Sequence, residues 1–144
     1  PVKERIKIKD ATGRDMSWVE SVCKSYKPDI VVLDMGDKFA TGGSEIITVW
    51  SFENNGPEGT TPGQLRYHKL FVSDFSFAPK GNRLASGARD GSIAVWGLKN
   101  DGHGGSIGTS QMSDQVSSIA WRKDARAIAA GDAKGQVVTW KVKT

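Results

Sequence analysis

The chain has 144 residues, of which 38% are apolar, 25% charged and 8% aromatic; this suits one domain or two small ones with a real core, and is too short for a large multidomain enzyme. Lysine and arginine total 20 against 16 acidic residues, a formal charge of +4, yet the charges are scattered and no run of about five like charges occurs, so a nucleic-acid partner is not expected. No apolar run approaches the ~20 residues that span a bilayer, so no membrane partner is expected either.

Arg5-Ile6-Lys7-Ile8-Lys9 alternates polar and apolar residues, as a half-buried strand does. A turn over Ala11–Asp15 follows, and Asp15, or Ser17 with Glu20, is suited to cap a helix near residues 16 to 26. Trp18, Val19, Val22, Cys23 and Tyr26 form one apolar stripe on that helix, and Pro28 stops it. Cys23 is the single cysteine, so no intramolecular disulfide and no cysteine-rich zinc site can form. With only His68 and His103 as histidines, no metal site and no cofactor are expected. The run Ile30-Val31-Val32-Leu33, ending in Asp34, reads as a buried strand. Strand, helix and strand make a βαβ element over residues 1–40.

After Ala40 the helical period disappears. Short β-branched runs end in Trp50, Trp96 and Trp140, which stand 46 and 44 residues apart. Leu84-Ala85-Ser86-Gly87 aligns with Ile128-Ala129-Ala130-Gly131 and with Phe39-Ala40-Thr41-Gly42, and Val72–Phe77 aligns with Val116–Trp121. Such a period marks repeated β units that bury their faces on one another. The tryptophans, Trp121 included, are expected to be buried or interfacial. The stretches from Asn54 to Gly63 and from Asn100 to Ser110 are polar and Gly-rich, and read as linkers between units. No Lys-Ser or Lys-Thr pair follows either one, so a phosphate cradle is not expected.

Residues 39–144 resemble a WD-repeat β-propeller, most closely over Leu65–Leu98. The resemblance covers two complete repeats and the second half of a third. It implies a buried hydrogen-bond network of His68, Ser86, Asp90 and Trp96, structural rather than catalytic despite its triad-like composition. In the last repeat Met112, Ala130 and Lys134 stand at the first three of these positions and only Trp140 remains, so apolar packing is expected to hold that unit. In the first, Thr41 and Trp50 persist, Ser44 stands at the acidic position, and the strand ahead of Phe39 is supplied by the N-terminal segment.

Residues 5–39 are similar to another family, the RecA-like phage replicative helicases, around the strand and acidic residue of their Walker B region. That likeness implies a vestigial magnesium-site carboxylate at Asp34. No G-x-x-x-x-G-K-[ST] loop is present to cradle phosphates, so no nucleotide chemistry is expected. Two likenesses meeting near Ala40 suggest a recombined chain, natural or deliberate, and a first residue of Pro1 fits excision from something longer.

The expected fold is mainly β: a βαβ segment over 1–40 and a partial, open propeller over 41–144. Propellers close with four to eight blades, so this arc leaves edges that other copies or the N-terminal segment must cover. The expected function is a non-enzymatic scaffold that binds protein or peptide and assembles as a homo-oligomer, in a cytoplasmic setting. The alternatives are a chimera whose property is folding alone, and a remnant nucleotide-binding fragment.

Overall fold

A computed structural model describes residues 7–9, 30–33, 38–42, 44–51 and 61–142. The described elements are all strands: β1 (Lys7–Lys9), β2 (Ile30–Leu33), β3 (Lys38–Gly42), β4 (Ile46–Ser51), β5 (Gly63–Arg66), β6 (Val72–Phe77), β7 (Arg83–Ala88), β8 (Ser92–Leu98), β9 (Gly104–Gln111), β10 (Val116–Trp121), β11 (Ala127–Asp132) and β12 (Val137–Lys141). Among the described residues no helix is long and apolar enough to cross a membrane.

The strands form three sheets, ordered β1-β2-β3-β4-β5, β6-β7-β8-β9 and β10-β11-β12. Every neighbouring pair is antiparallel except β1 and β2, which run parallel with Lys7 opposite Ile30. The arrangement is a partial, unclosed propeller of three blades. Blade 1 is β2–β5 with β1 added alongside β2, blade 2 is β6–β9, and blade 3 is β10–β12.

The repeat alignment becomes a structural register. Phe39 pairs with Trp50, Leu84 with Trp96, and Ile128 with Trp140. Each blade therefore sets its tryptophan against the same point of its second strand. The strand missing ahead of Phe39 is β2, which pairs along β3 from Ile30–Gly42 to Leu33–Phe39. The N-terminal segment thus joins the first blade instead of forming a sheet of its own. The expected βαβ element is not shown: β1 and β2 run parallel as members of the first blade's sheet, with no helix described between them. The expected helix near residues 16 to 26, with Trp18 and Cys23, lies outside the described residues, as do Asp34 and most of the 54–63 linker.

Two apolar clusters glue the blades. Ala40, Ile47, Val49 and Leu65 of blade 1 bury against Val72, Phe75, Leu84, Ala94 and Trp96 of blade 2. Ala85, Ile93 and Val95 of blade 2 bury against Val116, Ile119, Ile128 and Ala130 of blade 3, with Trp121 and Trp140 packed on their margin. Trp50 and Trp96 are buried, and Trp121 and Trp140 are half-buried. A strand pleated with period two can serve both clusters, because alternate side chains leave opposite faces: Leu84 goes to the first cluster and Ala85 to the second.

Polar contacts repeat across the second seam. Ile119 N donates to Asp74 Oδ2 at 3.0 Å, and Trp121 Nε1 donates to the Ser76 carbonyl at 2.8 Å. Glycine sets how closely the blades approach. A Cβ on Gly42 would lie 2.6 Å from Phe75 Cε1, and one on Gly87 2.4 Å from Val116 Cγ1. Gly131, at the same place in blade 3, has Ser118 Oγ as its nearest neighbour at 3.5 Å. Gly87→Ala is expected to cost about 2 kcal/mol, the range of an overpacked core. Gly131→Ala is expected to be neutral or to stabilise by up to ~1 kcal/mol, since alanine holds a strand better than glycine. Urea unfolding of the two variants against the parent checks the contrast.

Candidate functional site

The residues the sequence singles out lie at one end of blade 2. His68 follows β5, Ser86 sits in β7, Asp90 lies in the β7–β8 turn, and Trp96 sits in β8. Trp96 Nε1 lies 2.9 Å from Ser86 Oγ, Ser86 Oγ 2.7 Å from His68 Nε2, and His68 Nδ1 2.6 Å from Ser92 Oγ, which contacts Asp90 Oδ1. Ser92 is a fifth member that the sequence reading misses, inserted between the imidazole and the carboxylate. Its signal was available: a serine two residues after an aspartate in a tight turn can place both N–H and O–H on that carboxylate. Ser92 N does so at 3.0 Å from Asp90 Oδ1.

The proton directions follow from the two ends. The indole can only donate and the ionised carboxylate only accept. Ser86 therefore accepts from Trp96 and donates to Nε2, while Nδ1–H donates to Ser92, whose hydroxyl donates to Asp90. One neutral tautomer of His68 satisfies every link. Protonating the ring would turn Nε2 into a second donor aimed at Ser86 and leave the serine proton without its acceptor. Burial agrees: Ser86 is fully buried and His68 is 5% exposed. Desolvation pulls the His68 pKa from 6.5 to about 4, with the Asp90 charge opposing it in part. Asp90 lies below its ordinary value; burial pushes it up, but the Ser92 hydroxyl and N–H, the Lys69 N–H and His68 together outweigh that.

The chemistry this permits is structural. A catalytic serine needs a proton acceptor and open space for a reacting carbonyl. Ser86 Oγ is wedged between an indole and an imidazole with no exposed surface. Among the described residues no cluster of three metal-ligating side chains occurs.

The other blades solve the same turn differently. In blade 3, Met112 and Ala130 are buried in the apolar cluster as expected. Apolar packing is, however, not the whole of it. Asp132, two residues before Lys134, is 4% exposed. Its Oδ1 accepts Lys134 N at 3.0 Å and Gln136 N at 2.9 Å, and Ser113 Oγ lies 3.4 Å from Oδ2. The carboxylate that fixes the turn has moved from the turn to the strand end, so alignment on Lys134 passes it by. In blade 1, Thr41 is buried at the position of Ser86, and Ser44 Oγ accepts Ile46 N at 3.2 Å, a weaker form of the Asp90 turn. Asp34 lies outside the described residues.

Residues 59–97, which end with blade 2's third strand, match the family model described as WD domain, G-beta repeat. The chain is 28% identical over 132 residues to Protein HIR1 of Gibberella zeae, a match covering 76% of this chain and 13% of that protein. It is 26% identical over 113 residues to the Chromatin assembly factor 1 subunit FAS2 homolog of Oryza sativa subsp. japonica, covering 72% of this chain and 22% of that protein. The chain thus spans less than a quarter of the length of either relative. The serine, histidine and aspartate of the network all lie within the residues that match the family model.

Proposed function

We propose that this chain is a protein-binding WD-repeat scaffold that assembles with copies of itself through the open side of blade 3. The observation that carries the reading is the inequality of the three blades. The third strands of blades 1 and 2, β4 and β8, are each hydrogen-bonded to a fourth, β5 and β9. The third strand of blade 3, β12, has β11 on one side and, among the described residues, no strand on the other. Its Val137 is 70% exposed. Beside it a groove of about 500 Å³ is floored by Ile93, Val95, Ile128 and Trp140. A bare strand edge next to an apolar groove favours pairing with another strand.

Light scattering over a dilution series tests this. The parent chain is expected to form a discrete oligomer that dissociates on dilution. Val137→Lys places a charge on the edge and is expected to yield monomer at every concentration, with the thermal unfolding of the parent at dilutions where the parent is itself dissociated. A parent monomeric throughout, or a Val137→Lys oligomer equal to the parent's, would contradict the assembly.

The relatives support a setting in chromatin assembly. One carries the name of a chromatin assembly factor subunit, and a scaffold of this kind would serve there by holding protein partners. In this reading chromatin assembly takes the place of the cytoplasmic setting expected from sequence.

A further inference from the structure

Five large hydrophobic side chains are exposed among the described residues: Tyr67, Leu70, Phe71, Ile107 and Val137. Three of them fall within the five-residue strap 67–71 that joins β5 to β6, exposed by 41%, 51% and 48%. Loops with loose backbones can hide such side chains by folding over them. This one is pinned at three points. Lys69 N donates to Asp90 Oδ2 at 3.1 Å, Arg89 N donates to the Phe71 carbonyl at 2.9 Å, and Val72 N donates to the Ser44 carbonyl at 2.9 Å. His68, inside the strap, is anchored at both ring nitrogens. The buried network thus holds the backbone in place while its neighbours' side chains face water. Tyr67 meets the His68 ring edge-on at 5.5 Å, and the Arg89 guanidinium lies 5.6 Å from the Phe71 ring centroid. Arg66, Lys69 and Arg89 are exposed around the strap. Asp90 is taken up by the turn and the strap backbone, and Glu45 follows Ser44 in the chain.

We propose that the strap 67–71 is a docking surface for an acidic peptide segment bearing apolar side chains. This rests on the scaffold reading above and names the partner chemistry at one surface. Tyrosine, phenylalanine and arginine are the residues that anchor interfaces, and a prearranged backbone lowers the ordering cost of binding. The cations select an acidic partner, and Arg89, stacked on Phe71, faces charge and apolar contact at once.

Fluorescence anisotropy on the full chain with three labelled synthetic peptides of equal length tests the proposal. The first alternates glutamate with leucine and phenylalanine, the second replaces the apolar residues with serine, and the third replaces glutamate with lysine. The first is expected to bind about tenfold or more tightly than the others, and less tightly as salt rises. Phe71→Ser and Arg89→Glu, both exposed positions, are each expected to weaken it about tenfold with unchanged circular dichroism. No binding of the first peptide, equal binding of all three, or binding indifferent to both substitutions overturns the inference. Light scattering separates it from self-assembly. Phe71→Ser is expected to keep the parent's mass, and a fall to monomer would make a second copy the occupant and overturn the acidic-peptide assignment while leaving assembly standing.

Discussion

Trp96→Ala is expected to cost about 3–5 kcal/mol, the range for truncating a buried aromatic residue, out of a total that for a domain of this kind is about 5–15 kcal/mol. Trp96 is 3% exposed and joins the cluster that binds blade 1 to blade 2. Its removal empties the seam and takes from Ser86 Oγ the N–H donor at 2.9 Å. Trp96→Phe separates the two effects. It keeps most of the ring and deletes the donor, so a cost of about 1–2 kcal/mol is expected. Trp140, at the same point of the third repeat, is half-buried on the margin of its cluster and lines the open groove. Trp140→Ala is therefore expected to cost less than half as much as Trp96→Ala. Urea unfolding followed by circular dichroism measures all three. Equal costs at positions 96 and 140 would mean that blade 3 is as closed as blade 2.

Acid is expected to weaken the fold through His68 by a comparable amount. The folded-state pKa is about 4, below the ordinary ~6.5 of an exposed histidine in the unfolded chain. Above pH ~6.5 the ring is neutral in both states, and the network contributes its full stability. Between pH ~6.5 and ~4 the unfolded chain takes up the proton first, so stability falls as pH falls. Below about 4 both states carry the proton and the loss is complete. A depression of this size corresponds to about 3 kcal/mol in all. Asp90, whose pKa is also depressed, adds its own loss as pH falls through its folded-state value. His68→Gln is expected to be less stable than the parent at neutral pH and nearly flat between pH ~6.5 and ~4. A parent whose urea midpoint stays constant over that range, or a variant with the parent's slope, would contradict the neutral, buried assignment of His68.

Much of this fold was legible because repeats constrain one another. The pairing of Leu84 with Trp96 and of Ile128 with Trp140 follows from aligned strands that differ in sequence but not in period. The need for a strand ahead of Phe39 was legible for the same reason, and β2 supplies it. Ser92 was not legible from the repeat because blade 3 has Gln136 in its place, so the column carries no common chemistry. Asp132 was missed for the opposite reason: its function is kept while its position moves by two residues, which alignment reads as a loss. The Tyr67, Leu70 and Phe71 surface could not be read at all. Burial belongs to the packed chain, and three large apolar residues in a row of five are as compatible with a core as with a strap. The glycine seams were equally hidden, since Gly87 and Gly131 look alike until Val116 is found against one of them and no apolar side chain against the other.

Blade 2 has all four strands and is locked by the His68 network, whereas β12 of blade 3 has no fourth strand beside it among the described residues. Amide hydrogen exchange in dilute solution tests this claim most directly, because protection follows how completely each strand is held. The slowest amides are expected over residues 84–98, in β7 and β8, and much faster exchange over residues 137–141, in β12. Protection of β12 equal to that of β8 in dispersed chains would contradict the claim.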